Sequence, residues 1–110
     1  MIKTDLGKKF TLVFDDVILK QLKQVDNKIK EILSKIFDKL EITGINLGKL
    51  LDSRLSIYEI KKKHPPIRLY FKYKRQNDEI YIFEFEMKTS KKQQQKTINK
   101  IKFKAEQLES

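Results

Sequence analysis

The side chains of this sequence best equipped for chemistry are cationic, and they crowd into its second half. Residues 60–110 hold 14 Lys and Arg against 6 Asp and Glu, whereas residues 1–59 hold 11 against 9. A coding bias towards lysine would load both halves alike. The asymmetry points instead to a surface for a polyanion, with nucleic acid the first class of partner to consider. His64 is the single histidine and the only side chain whose unperturbed pKa lies near neutrality, which makes it a candidate acid or base. Between Lys63 and Pro65 it suits a turn equally well. Tyr58 and Tyr70 offer flat faces for stacking on a splayed base and phenols for bonding a phosphate, or they are simply sheet residues.

Other chemistries find no support. There is no cysteine, which excludes a disulfide scaffold and a thiolate metal site. No GxxxxGKS, HExxH, CxxC or GxSxG arrangement occurs, so nucleotide hydrolysis, zinc chemistry and serine catalysis lack their motifs. No cofactor and no metal are expected. The N-terminal stretch lacks the apolar run and small-residue cleavage site of a signal peptide, and no segment reaches the roughly 18 apolar residues of a membrane span. The expectation is one cytoplasmic domain over residues 1–110 with no membrane partner.

The elements that must position these residues follow from periodicity. Phe10, Leu12 and Phe14 alternate in a first short strand. Asp15 and Asp16 supply a cap for a helix carrying Ile18, Leu22 and Val25. Asp26 and Asn27 open a second helix with Ile29, Ile32, Leu33, Ile36, Phe37 and Leu40 on one stripe, ending before Gly44. The two predict an antiparallel helical hairpin. Residues 44–54, GINLGKLLDSR, read as a loop, and the period then changes to two. A strand is expected over 55–61 and, after His64-Pro65-Pro66, another over 67–74. Its alternation sets Ile67, Leu69, Phe71 and Tyr73 against Arg68, Tyr70, Lys72 and Lys74, so one face is core and the other basic.

A third strand, 80–87, sets Tyr81, Phe83 and Phe85 opposite Ile82, Glu84 and Glu86. Ser90 and Gln93 form a capping-box pattern for a last helix with Ile98, Ile101, Ala105 and Leu108 inward. Lys92, Lys96, Lys100 and Lys104 recur every four residues on another stripe. The fold class is therefore α+β: an antiparallel sheet of about four strands with an N-terminal helical hairpin and a C-terminal helix, the helices mainly on one face.

Three segments, in this order and on these elements, resemble the RelE/ParE superfamily of toxins, and within it the HigB-like, phage-derived branch. They are GKLLDSRLSIYEIK, IRLYFKY and FEMKTSKK, and the resemblance covers nearly the whole chain. Met87 stands where the family often has a lysine and Gln93 where a proline is common, and the His-Pro-Pro loop is longer than in the shorter members. The resemblance implies the toxin of a type II toxin–antitoxin system. It also implies an endonuclease that cleaves messenger RNA without a metal, usually on the ribosome, and a cognate antitoxin covering the basic face.

Such cleavage uses the ribose 2′-hydroxyl as nucleophile. The protein must assist its deprotonation, neutralise the phosphorane and protonate the leaving 5′-oxygen. Packed lysines and arginines can meet all three needs. Arg68 matches the family's strand arginine, with pairing to Glu59 or Glu86 as its structural alternative. Lys88 and Lys91 match lysines before the last helix, whose N-terminus itself attracts anions. Lys61 and His64 complete the catalytic candidates, with Tyr58, Tyr70, Lys72 and Lys92 as RNA-binding candidates. Glu59 is either a base or, as the resemblance implies, a tether. The competing expectations are a ParE-like gyrase inhibitor and a non-catalytic basic RNA-binding relative.

Overall fold

A computed structural model describes residues 9–87 and 89–109 of the chain. The elements run β1 (Thr11–Phe14), α1 (Asp16–Gln24), α2 (Asn27–Thr43), a 3-10 turn (Gly44–Leu47), β2 (Lys49–Asp52), β3 (Ile57–Lys62), β4 (Ile67–Lys74), a second 3-10 turn (Arg75–Asn77), β5 (Glu79–Glu86) and α3 (Lys91–Leu108). Local side chains start each helix where the sequence marks it. Asp15 accepts the Val17 amide at 3.0 Å, Asp26 the Ile29 amide at 2.9 Å and Ser90 the Gln93 amide at 3.1 Å, each satisfying a first-turn donor that has no partner within the helix. α2 stops at Gly44, whose φ of 69° suits glycine and where a Cβ would run into the Phe10 ring.

The sheet differs from the expected one. It has five strands in the order β1-β5-β4-β3-β2, and it is mixed, because β1 runs parallel to β5. The extra strand, β2, lies in the segment read as a loop. Four residues beside a glycine carry no usable period, and what makes them a strand is pairing with β3, with Lys49 opposite Glu59 and Leu50 opposite Tyr58. β3 starts at Ile57, two residues later than expected, because the Asp52 carboxylate accepts the Leu55 amide at 2.9 Å and Ser56 turns through φ 55°.

Helices cover both faces, which corrects the expectation of one. α1 and α2 bury Ile18, Leu33 and Leu40 against Leu69, Phe71, Ile80 and Ile82. α3 packs Ile101 and Ala105 on the opposite face against Leu55, Ile57, Tyr70 and Phe83. The supposed basic face of β4 is thus a second core at its centre. A bulge contributes to this arrangement: Tyr70 pairs with Glu84 and Phe71 with Ile82, leaving Phe83 as the extra residue. Phe85 therefore joins Ile80 and Ile82 beneath α1 and α2, instead of sharing a face with Tyr81 and Phe83.

Ion pairs fasten α3 along its length. Lys100 reaches Glu84 at 3.0 Å, Lys104 reaches Asp15 at 3.0 Å, and Glu109 reaches Lys72 at 2.5 Å. Two of the four periodic lysines are thus turned to partners on the body of the protein.

Candidate functional site

Arg68 projects from the start of β4 with Lys61 opposite it on β3 and Glu86 opposite it on β5. Its Nη1 donates to Glu59 Oε2 at 2.8 Å. Glu59 is buried and Arg68 about a quarter exposed, so one edge of the guanidinium is anchored while, among the described residues, its other N–H groups have no hydrogen-bond partner. Beside it lies a cavity of about 110 Å³ bounded by Lys61, Arg68, Met87, Thr89 and Gln94. Three strand cations, Lys61, Lys62 and Arg68, and the entry to α3 therefore share one hollow, a suitable setting for a phosphate.

A buried network stands next to Arg68. The Tyr70 hydroxyl donates to Glu86 Oε2 at 2.9 Å, and the Thr97 hydroxyl donates to the other oxygen of the same carboxylate. Tyr70, Glu86 and Thr97 are all buried. Burial first, and then the bond to Glu86 and its charge, push the Tyr70 phenol well above its ordinary range. The network ties β4, β5 and the second turn of α3 together, so α3 holds its position relative to Arg68. Sequence reading did not single out Thr97; the signal was its place four residues before Ile101 and eight before Ala105, on the buried stripe.

The other sequence candidates scatter. Lys91 and Lys92 open α3 and are exposed, and neither lines the Arg68 hollow. Lys88 lies outside the described residues. His64 is exposed on the turn between β3 and β4, also away from the hollow's lining. Three RNA-binding candidates are not on a free basic face. Tyr70 is under α3. Lys72 is buried with its ammonium 2.6 Å from the Leu55 carbonyl and paired to Glu109, because an ammonium inside a core must be bonded there. Tyr58 sits on the opposite face, stacked on Phe71 with ring centroids 5.3 Å apart.

A larger cavity of about 530 Å³ adjoins the first, since Met87 and Thr89 line both. Its other walls include Val25, Glu84, Phe85, Thr97 and Lys100. Among the described residues no group of three or more His, Cys, Asp or Glu side chains is placed to hold a metal ion. No described helix is long and apolar enough to cross a membrane.

No family model matches the sequence and no curated protein matches it. Solved structures do match its fold. The isolated RelE toxin of E. coli superposes with a TM-score of 0.64 at 19% identity, covering 84% of this chain and 99% of that one. RelE in the intact E. coli RelBE toxin–antitoxin complex gives 0.63 at 20% identity, over 74% of this chain and 100% of that one. The RelBE2 toxin–antitoxin complex of Mycobacterium tuberculosis gives 0.60 at 16% identity, over 72% and 98%. The chain has the RelE fold.

Proposed function

We propose that this chain is the toxin of a type II toxin–antitoxin pair and cleaves messenger RNA on the ribosome, in the cytoplasm and without a metal. The observation that carries the reading is the placement of Arg68 and Lys61 on adjacent strands around one hollow at the start of α3, in a chain of RelE fold. In the reaction the 2′-oxygen attacks the adjacent phosphorus and the bond to the 5′-oxygen breaks. A cyclic phosphate and a free 5′-hydroxyl result, with the proton passing from the first oxygen to the second. Arg68 neutralises the phosphorane, because Glu59 aims its fork and leaves N–H groups open. Lys61 adds charge from β3, and Lys88, Lys91 and Lys92 draw the backbone towards the helix mouth. His64 meets the RNA from the exposed turn.

The antitoxin is an acidic amphipathic segment laid over the basic half, in line with the toxin–antitoxin complexes formed by the E. coli and M. tuberculosis neighbours. The sequence segments around β3, β4 and the start of α3 favour the HigB-like branch. Sequencing transcript 5′ ends after brief induction tests the reading. New ends within coding sequence, absent with Arg68→Ala, support it; growth arrest with intact transcripts rejects it and directs attention to gyrase supercoiling.

One observation favours a second reading. Arg68 already has a carboxylate partner, as a structural arginine would, which suits a basic domain that binds RNA without cutting it. Salt-sensitive RNA binding with no cleavage in the presence of ribosomes distinguishes it.

A further inference from the structure

We propose that the larger cavity, between the C-terminal end of α1, the end of β5 and the first turns of α3, is a base-recognition pocket. It seats a guanine whose N1–H and 2-amino group donate to the Glu84 carboxylate. This deepens the ribonuclease reading, on which it rests for its substrate class, by giving the same site a sequence preference.

Four features of the cavity lead to this assignment. It shares Met87 and Thr89 with the Arg68 hollow, so a nucleotide with its phosphate at Arg68 has its base within reach. Its buried carboxylates, Glu84 and Glu86, repel a phosphate, so the charges sort the nucleotide by themselves: backbone to Arg68 and Lys61, base to the glutamates. Its walls combine apolar Val25, Phe85 and Met87 with these polar groups, the mixture that suits a flat heterocycle. Finally, among the buried polar side chains of the lining one carboxylate has an oxygen without a directed hydrogen bond, while the amides of Gln24 and Gln93 stand exposed at the cavity's edge.

Apart from Thr89, the other buried or half-buried polar groups of the lining have their partners. Both oxygens of Glu86 are taken by Tyr70 and Thr97. The Gln21 amide is held at both ends by Phe85, donating to its carbonyl at 2.8 Å and accepting from its N–H at 3.0 Å. Glu84 differs. Its side chain is only 7% exposed, and its Oε1 is shielded yet accepts no directed hydrogen bond among the described residues. The Lys100 ammonium lies 3.0 Å from Oε1 but out of line, and its hydrogen bond goes to Oε2 at a long 3.3 Å. Lys100 is itself about half exposed, so a phosphate in solvent competes with Glu84 for its ammonium. The shielded Thr89 hydroxyl, also without a hydrogen-bond partner among the described residues, stands where the two cavities meet.

Once Lys100 exchanges Glu84 for a phosphate, both carboxylate oxygens match two adjacent N–H donors on one edge. Guanine alone among the four bases presents that pair on its Watson–Crick edge. Adenine and cytosine offer an amine beside an acceptor, and uracil a single N–H between two carbonyls. An arginine from a protein partner carries the same pair of donors, but a chain of net charge +10 with Lys100 at this site disfavours a cationic visitor and attracts an anionic polymer.

The test is equilibrium binding of the four ribonucleoside 3′-monophosphates to the full chain, with backbone amide shifts recorded by NMR. The guanosine nucleotide binds about tenfold more tightly than the uridine one and shifts the Phe85 and Thr97 amides. Glu84→Gln removes the preference, whereas Arg68→Ala weakens all four nucleotides together and leaves it. Equal binding of the four, a preference that survives in a folded Glu84→Gln chain, or shifts confined to another surface overturns the proposal. Should Glu84→Gln fail to fold, the wild-type affinities and shifts decide alone. A guanine preference in a chain that leaves transcripts intact keeps the pocket and rejects the nuclease; cleavage without base preference rejects the pocket only.

Discussion

The Arg68 guanidinium and the Glu59 carboxylate face each other across β3 and β4 at 2.8 Å, with the carboxylate buried and the guanidinium reaching the solvent edge. The pair neutralises a charge inside the protein and, on the proposed function, also orients the arginine for a phosphate. Removing the arginine therefore affects stability as well as binding. Arg68→Ala leaves Glu59 unpaired and destabilises the fold by about 1–3 kcal/mol, and Glu59→Gln in the same chain recovers part of that loss. Urea unfolding of the single and double variants measures both. RNA cleavage falls by about 10²–10³-fold in either variant, because the phosphorane loses its fork.

Lys61 and Lys72 are both cations of the central strands, yet they should behave oppositely. Lys61→Ala lowers the salt dependence of RNA binding by about 0.7 in the log–log slope, the value for one single-strand phosphate contact, and leaves stability nearly unchanged. Lys72→Met leaves that slope alone and costs about 1–2 kcal/mol, since the buried Leu55 carbonyl loses its donor. Salt titrations and unfolding curves on the two variants check the contrast.

Tyr81 donates to Asp15 at 2.9 Å. Burial first, followed by that bond and the nearby acidic charge, pushes its phenol up to about 12 from the ordinary 10.0. Above the unfolded value the native state keeps a proton that the unfolded chain has released, so stability falls as pH rises from about 10 through about 12. Tyr81→Phe flattens that decline. Stability curves of both chains across this window, compared as a difference, show the effect.

Asp15 works in the acid range. Burial alone would raise its pKa, but the Val17 amide and the hydrogen bonds from Lys104 and Tyr81 outweigh burial and hold it below the ordinary 3.8. The stability it contributes is present above that value and lost as pH falls through the lower folded one. Asp15→Asn keeps the helix cap but loses the Lys104 pair, for about 0.5–1.5 kcal/mol at neutral pH. The gap from wild type closes as the medium is acidified below the native pKa, which unfolding at a series of pH values resolves.

Much of this protein was legible in the chain itself. Helix starts at Asp15, Asp26 and Ser90 are encoded by carboxylate and hydroxyl groups that act on amides two or three residues away, so nothing distant is needed to place them. The stripe of α2, the two-fold alternation of β4 and the concentration of positive charge after residue 60 are likewise local properties. So is the placement of Lys61 beside Arg68, which the register of a single turn sets.

What lay beyond reach depends on contacts between residues far apart in sequence. Alternation divides β4 into two faces without saying what covers either, and α3, arriving from residues 91–108, turned Tyr70 and Lys72 from expected ligands into core. The bulge at Phe83 shifted the register of β5 against β4 and turned Phe85 away from the α3 face. The strand character of Lys49–Asp52 and the parallel pairing of β1 with β5 exist only through their neighbours. The pairing of Glu86 with Thr97, and the unfilled capacity of Glu84, arise the same way. A buried carboxylate's bonding is decided by whichever donors the folded chain brings to it, and those come from elements its own segment does not specify.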